Sequence, residues 1–241
     1  MPHTRAGPLH ALSNRDFPFL LLGGLLLAAV AGYVNVVVLT LGGPPVTHMT
    51  GTVSRLSDDL GQGNLADALF VLALVASFVA GAGVSGFVLG DQTLRLGRRY
   101  GLAILIEAAL LGAATLVLPV SLRPGILLAA SAAGLQNAMA SSYRHLILRT
   151  THVTGIATDL GFDIGRRLAG HRVEPWRFVL LVGLLGAFVA GGVLGAVAEH
   201  RVGVPALALP TALLAAAGFA YFGWRRVARS ARRRGRRDLT P

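Results

Sequence analysis

The chain has 241 residues, of which 54% are hydrophobic, and its formal net charge is +11. Only 14% of the residues are charged, against about 25% in soluble globular domains, so the composition excludes an ordinary soluble domain and indicates an integral membrane protein. The chain contains neither Cys nor Lys, which excludes disulfides, thiolate nucleophiles, thiolate metal sites and Schiff-base chemistry.

Six apolar windows predict transmembrane helices, because about 20 helical residues cross the hydrocarbon core of a bilayer. In chain order they cover residues 17–41, 68–89, 100–120, 125–140, 178–198 and 202–224. The first window is too long for a secretory signal peptide and has no clear cleavage site, so we expect it to be retained. These windows predict a single membrane domain over residues 17–224, preceded by an N-terminal segment, residues 1–16, and followed by a basic tail, residues 225–241.

The Arg residues of the short loops predict the orientation through the positive-inside bias. With six crossings, one side of the membrane receives Arg5 and Arg15, the cluster at residues 95–99, residues 144–177 and the tail. The other side receives little positive charge, so we expect both termini to be cytoplasmic. Eight crossings would place the cluster at residues 95–99 outside and are therefore disfavoured.

A polar phrase occurs twice, as THMTGTVSRLSDDLG at residues 47–61 and as THVTGIATDLGFDIG at residues 151–165. The two copies share seven aligned residues, which makes a chance similarity improbable. The matched pairs are Thr47 with Thr151, His48 with His152, Thr50 with Thr154, Gly51 with Gly155, Leu56 with Leu160, Asp59 with Asp163 and Gly61 with Gly165.

Weaker similarities flank both copies in the same order, since AGYVN or AGLQN precedes the motif and FVAG follows it. The repeats cover about residues 17–120 and 125–224, and each contains three predicted spans. Because three is an odd number of crossings, the second repeat enters the membrane from the opposite side. We therefore predict an all-α integral membrane protein with six transmembrane helices as two inverted three-helix repeats, each with a short interrupted or re-entrant Thr-x-x-Thr-Gly helix.

Inverted repeats with interrupted helices are a recurrent transporter architecture, in which the substrate site lies between the repeats. The sequence thus favours a small-solute or ion transporter or channel with its pathway between the two motifs. The polar and glycine residues of both motifs and of the spans beside them are the candidates for this pathway: Asn35, Thr47, His48, Thr50, Gly51, Asp59, Glu107, Gln136, Asn137, Thr151, His152, Thr154, Gly155, Asp159 and Asp163.

Other functions remain open at this point. The duplicated motif could merely end a helix and pack, and the protein could be a non-transporting membrane scaffold. An intramembrane enzyme using His48 or His152 with an acid is a less favoured alternative, because acid–base chemistry needs two groups in different environments, and the two copies are nearly symmetric. GAGVSG at residues 81–86 formally matches the dinucleotide-binding fingerprint but lies inside a predicted span with no preceding strand, so we reject it. The zincin, Walker and nucleophile-elbow motifs do not occur, and we predict no catalytic, cofactor or metal site.

The motif residues have local alternatives to a role in the pathway. The Thr and Ser hydroxyls at helical spacing could bond to carbonyls of their own helix instead of lining a cavity. His48 and Asp59 would lie about 16 Å apart on a continuous helix, so a direct pair requires a break, for which Gly51 and Gly155 are the candidates.

The acids and amides also have competing interpretations. Asp59 can pair with Arg55, and Asp163 with Arg167, at i,i+4 spacing, whereas Asp159 lacks a counterpart in the first copy and could contact a proton or cation. Three amides lie just before the motifs and either contact a solute or fasten helices together: Asn35, Gln136 and Asn137. Glu107 is the one carboxylate well inside a predicted span and is a functional candidate, unless it snorkels towards the cytoplasmic interface near Arg99.

The basic tail predicts contact with anionic lipid headgroups, and nucleic-acid binding is disfavoured because no folded module accompanies it. Six Arg residues would make these contacts: Arg225, Arg226, Arg229, Arg232, Arg233 and Arg234. Glycines spaced four apart, Gly86 with Gly90 and Gly191 with Gly195, predict close helix approach and a homo-oligomer as a further expectation.

The segments GYVNVVVLTLGG with THMTG, and AGLQNAMASSY with RTTHVTGIATDLG, resemble the YoaK-type family of bacterial multi-spanning membrane proteins. The similarity covers about residues 32–221 and is most specific in the two motif regions. It implies a six-span protein of the bacterial inner membrane and supplies no substrate. Where that family often has Asn after the first motif's Gly and Asp at the first amide position, this chain has Thr52 and Asn35.

Overall fold

The structure, a computed structural model, describes residues 17–90, 98–141 and 152–237, and the side chains within 21–90, 98–141 and 152–223. The predicted N-terminal segment and Thr151 lie outside the described residues, and the Arg side chains of the tail lie outside the described side chains. Eight α-helices make up the described chain: α1 Phe17–Thr40, α2 Met49–Gly61, α3 Leu65–Leu89, α4 Arg98–Val117, α5 Leu122–Ser141, α6 Val153–Leu168, α7 Pro175–Val202 and α8 Ala208–Arg237. A 3-10 helix, Val204–Leu207, joins α7 to α8, and no strand occurs in the described ranges.

Within the described residues, five segments are long and apolar enough to cross a membrane. They are Leu21–Thr40, Leu65–Leu89, Arg98–Val117, Pro175–Val202 and Val204–Gly223. The prediction of an all-helical membrane protein is thereby confirmed at this level. The last of these segments comprises the 3-10 helix and the first part of α8, and α8 continues through the predicted start of the tail to Arg237.

The fourth predicted span corresponds to α5, which has 20 residues but is not one of these five segments. Eleven of its residues are buried, because α3 and α4 both pack against it and its sequence is rich in Ala and Gly. A helix enclosed by its neighbours presents little surface to lipid and needs fewer large apolar residues. The count of six crossings therefore stays a prediction.

The first and seventh helices cross in backbone contact. A Cβ at Gly32 of α1 would clash with the carbonyl of Phe188 in α7, and a Cβ at Gly191 of α7 would clash with the carbonyl of Ala29. Small residues permit such close approach between membrane helices. Gly195, which packs on the backbone of Tyr33, belongs to the same contact, so the predicted Gly191–Gly195 crossing is confirmed.

The third and fifth helices cross in the same manner. A Cβ at Gly134 of α5 would clash with the carbonyl of Phe78 in α3, and a Cβ at Gly81 would clash with the carbonyl of Ser131. Ser131 also donates its hydroxyl to the Ser77 carbonyl at 3.0 Å. These glycines belong to the AGLQN and FVAG segments.

Gly86 and Gly90, which were predicted to allow a close helix approach, do not make this contact in the described structure. A Cβ added at Gly86 would meet no atom within 4 Å in the described structure, and Gly90 ends α3 with a positive φ of 56°. The crossing is instead made at Gly81, one and a half helical turns earlier, because that glycine faces α5.

The main apolar core lies where α1, α3, α4 and α5 meet the 3-10 helix. Fully buried members include Val37, Leu74, Leu111, Ile126 and Leu207. The Tyr33 hydroxyl donates to the Ala206 carbonyl at 2.9 Å and fixes α1 against the connection between α7 and α8.

Candidate functional site

Both motif helices begin directly after the motif histidine. His48 is the N-cap of α2 and His152 is the N-cap of α6, and neither side chain caps its own helix through a hydrogen bond. Each helix packs on the long helix that follows it, α2 on α3 and α6 on α7. In the described chain, α2 and α6 themselves do not touch.

The two histidines nevertheless lie near each other. His48, in the connection between α1 and α2, is half-buried, and its ring packs edge-on against Phe188 of α7 with the ring centres 5.3 Å apart. Burial lowers the pKa of His48, and the positive charge of nearby His152 lowers this pKa further. The His152 ring lies over the first turn of α6, where a Cβ at Gly155 would clash with its Nδ1. The starts of the two motif helices therefore approach each other while the helices themselves remain separate.

Thr47 fastens the start of the first motif to α1. The Oδ1 atom of Asn35 accepts hydrogen bonds from the Thr47 backbone N–H at 3.2 Å and from its hydroxyl at 2.9 Å, and both residues are buried. The amide of Gln136 acts similarly, because its Nε2 donates to the Leu27 carbonyl at 2.8 Å and ties α5 to α1. Asn137 is half-buried beside it.

A small cavity lies behind Thr47. Its polar lining consists of Thr47, Glu107 and Gln136, and Ala and other apolar residues of α1, α4 and α5 form the rest. The free space is about 10 Å³, which is enough for the centre of about one water molecule. Glu107 is only 2% exposed and its Oε2 has no hydrogen-bond partner in the described structure. The alternative that Glu107 snorkels to the interface is therefore wrong.

The remaining motif hydroxyls mostly bond within their own helices. Ser54 donates to the Thr50 carbonyl at 3.1 Å, and Thr158 donates to the Thr154 carbonyl at 2.8 Å. Thr50, Thr154 and Gly51 are exposed on the surface of the described structure. The hydroxyl stripe does not line the cavity, and Thr47, which reaches it, lies outside the helix.

The motif aspartates lie away from the cavity. Asp59 is buried on α2 and lies 3.8 Å from Arg55, as the i,i+4 spacing predicts. Asp163 is buried on α6, but its partner is Arg177 at 2.8 Å and not Arg167. That correction arises because Asp163 faces α7, whereas Arg167 is exposed.

The motif helices are continuous, and this decides whether a motif histidine can pair with a motif aspartate. Both α2 and α6 run unbroken past Gly51 and Gly155, so a direct pair between a motif histidine and a motif aspartate is not formed.

Asp159 is exposed. No three His, Asp or Glu side chains of the described residues come together as a metal site requires.

The profile of a family described as protein of unknown function (DUF1275) matches residues 23–220. This chain belongs to the DUF1275 family. The match runs from α1 into α8 and includes both motifs, and the YoaK-type resemblance is confirmed. No curated protein sequence and no solved structure matches the chain.

In this DUF1275 protein, the structure brings together Thr47, Glu107 and Gln136 around the cavity, and Asn35 bonds to Thr47. His48 directly follows Thr47 in the chain. Sequence reasoning missed Phe188, against which His48 packs, and Arg177, which pairs with Asp163. The position of Arg177 two residues after Pro175, a residue typical of a helix start, was the available signal that Arg177 lies in the first turn of α7.

Proposed function

We propose that this DUF1275 protein moves a small solute or ion across the bacterial inner membrane, along a pathway at the converging starts of α2 and α6. The observation that carries the proposal is that the starts of the two motif helices both pack on α7: the ring of His48 contacts Phe188, and Ile156, in the first turn of α6, belongs to one apolar cluster with Leu184, one turn before Phe188. A duplicated motif that only ended a helix would not need to meet its copy.

The lengths of the motif helices support this pathway. With 13 and 16 residues, α2 and α6 extend about 20 and 24 Å, less than the roughly 30 Å of the hydrocarbon core. Helix starts carry unpaired N–H groups and a partial positive charge. Where such ends converge inside a membrane domain they can replace water around a polar solute, as in transporters with discontinuous helices.

The glycine contacts support the inverted relation of the repeats. Gly32, three residues before Asn35, packs on Phe188 of the second FVAG segment, and Gly134, three residues before Asn137, packs on Phe78 of the first. A two-fold rotation that exchanges the repeats would place α1 on α5 and α3 on α7, and it would therefore exchange the α1–α7 contact with the α3–α5 contact. With α5 counted as a span, this arrangement has six crossings and both termini in the cytoplasm.

Solute flux tests the proposed function. Purified protein in liposomes is subjected to osmotic shock with a panel of small neutral solutes, monocarboxylates and inorganic ions, and light scattering reports entry. We expect at least one solute to enter faster than into protein-free liposomes, and this flux to fall in His48→Ala and in His152→Ala. The exposed His171 supplies the matched control, so His171→Ala should keep the flux. Absence of any flux would refute transport. Unchanged flux in both motif variants would show that His48 and His152 do not contribute to the pathway and serve packing only.

Thiol labelling tests the inverted repeat, and the chain has no native Cys to interfere. Thr50 and Thr154 are exposed equivalents in the two motifs. We expect a membrane-impermeant reagent to label Thr50→Cys in intact cells and to label Thr154→Cys only after the cytoplasmic side is opened. Labelling of both from the same side would overturn the inverted arrangement.

A further inference from the structure

Among the described residues, Glu107 has no charged partner in its cavity. It is 2% exposed, and the other lining residues of the cavity carry no titratable side chain. Three Arg side chains of the described structure that pair with acids do so elsewhere, with Asp59, Asp67 and Asp163. A buried carboxylate without a counter-charge is costly, and binding one proton removes that cost.

The same cavity suits a proton better than a metal cation. Divalent Ca²⁺ and Mg²⁺ take about six or more oxygen ligands, whereas the side chains here offer oxygens only from Glu107, Thr47 and Gln136. The Thr47 hydroxyl is already bonded to Asn35. A neutral carboxylic acid, in contrast, needs only one acceptor for its O–H, and the cavity has space for about one water molecule.

The position of the cavity links Glu107 to the first motif. Thr47 forms one wall, and the next residue, His48, heads α2. A charge on Glu107 would require water or a cation to enter this wall region, because the amide N–H of Gln136, the other polar side chain of the lining, already donates to the Leu27 carbonyl, and the rest of the lining is apolar. Charging Glu107 therefore favours displacement of the segment at Thr47, and neutralising it favours the closed arrangement seen in the structure.

Few other titratable groups are carried by the elements around Glu107. On the packed elements, those with described side chains are, by element, Tyr33 on α1, His48 before α2, Asp67 on α3, Arg98, Arg99 and Tyr100 on α4, Arg123 on α5, Arg177, Glu199, His200 and Arg201 on α7, and Tyr221 on α8. Asp67 and Arg123 pair with each other at 2.8 Å, and Tyr33 donates to Ala206. None of these side chains lines the cavity.

We propose that Glu107 is a proton-binding site that is protonated while Thr47 closes the cavity and releases its proton to water when that segment moves away. The step is a simple transfer, in which the carboxylate takes one proton from water and later returns it. Coupling of this proton to solute movement rests on the proposed function, whereas proton binding itself does not.

Infrared spectroscopy tests proton binding directly. Spectra of the full-length protein in lipid are recorded while the buffer is switched between mildly acidic and mildly alkaline pH. At neutral pH we expect the C=O stretch of a neutral carboxylic acid, which Glu107→Gln should abolish and Glu107→Asp should retain at a shifted frequency. The control Glu174→Gln, at an exposed N-cap, should retain the band unchanged. Absence of the band, or its persistence in Glu107→Gln, would overturn the proposal.

A second measurement separates the proton site from transport. For any solute that enters the liposomes, we expect an inward proton gradient to accelerate entry through the unmodified protein but not through Glu107→Gln. Equal acceleration in both proteins, or none in either, would contradict the coupling. If no solute enters but the infrared band behaves as expected, the transport proposal fails while the proton site stands.

Discussion

The buried acids of the membrane domain differ in their neighbours. Asp163 is held by Arg177 at 2.8 Å, Asp59 lies 3.8 Å from Arg55, and Glu107 has no basic partner among the described residues lining its cavity. The same functional group is therefore a fastening point in one helix and a titratable site in another. The neighbouring helix decides between the two.

Replacing Asp163 by Asn should destabilise the contact between α6 and α7. The change removes the charge that Arg177 pairs with, while Arg177, at 37% exposure, regains only part of its hydration. We expect the free energy of unfolding to fall by about 1–3 kcal/mol, less than the roughly 3–5 kcal/mol for breaking a fully buried pair. Unfolding in detergent followed by Trp fluorescence measures this. Asp159→Asn, an exposed change on the same helix, should have an effect below about 0.5 kcal/mol, and equal effects would contradict the role of the pair.

His48 should make the stability of the protein sensitive to pH. Burial and the charge of His152 lower the pKa of His48 in the folded protein below its ordinary value of 6.5. Just below pH 6.5, His48 is therefore protonated in the unfolded chain but still neutral in the folded protein. Stability therefore falls as the pH drops through 6.5 and levels off once the folded histidine is itself protonated. We expect the unfolding temperature to fall less in His48→Gln than in the unmodified protein between about pH 7.5 and 5.5. His171→Gln is the control, and parallel curves for His48→Gln and the unmodified protein would refute the effect.

At the scale of elements, the glycine crossings should be sensitive to one methyl group. Gly134→Ala places a Cβ against the Phe78 carbonyl and must push α3 and α5 apart. We expect a loss of about 1–3 kcal/mol in unfolding free energy, as for overpacked cores. At Gly83 of α3 an added Cβ would meet no atom within 4 Å, so Gly83→Ala should cause no loss and should gain about 0.5–1 kcal/mol from the higher helix propensity of Ala. Similar losses in both variants would show that the crossing is not the cause.

The helices were largely predictable because hydropathy and length report what lipid requires. The helix α5 was harder to predict as a span, because its neighbours bury it and its Ala- and Gly-rich sequence has a lower hydropathy than a helix that faces lipid. The motif predicted the place of the site but not its contacts, since spacing along one helix could not reveal that Asp163 faces Arg177 on α7. Likewise, Glu107 was recognisable as a carboxylate inside a span, whereas its cavity with Thr47 depends on three helices.

For the whole molecule, charge is concentrated at one end of the chain. The tail from Arg225 carries eight Arg residues and one acid, and α8 continues into it as far as Arg237. We expect anionic lipids to be retained by the purified protein through this segment, with about 1 kcal/mol per Arg close to the lipid surface.

Truncation tests that expectation. Removing residues 225–241 should reduce the number of anionic lipids that co-purify, as measured by native mass spectrometry in detergent. Removing only residues 238–241, which contain no Arg, leaves the basic segment intact and should have no effect. Equal lipid retention in both truncated proteins would assign the lipids to the membrane domain instead.

The crossing of α1 with α7 has a consequence for biosynthesis. Ribosomes add about 5–20 residues per second, so Phe188 emerges about 8–30 s after Gly32, whose backbone contact it provides. The partner of α3, in contrast, follows within about 50 to 56 residues, or about 3–11 s. The pair α3–α5 can therefore form early, while the glycine surface of α1 stays covered by lipid or by the insertion machinery until the second FVAG segment arrives.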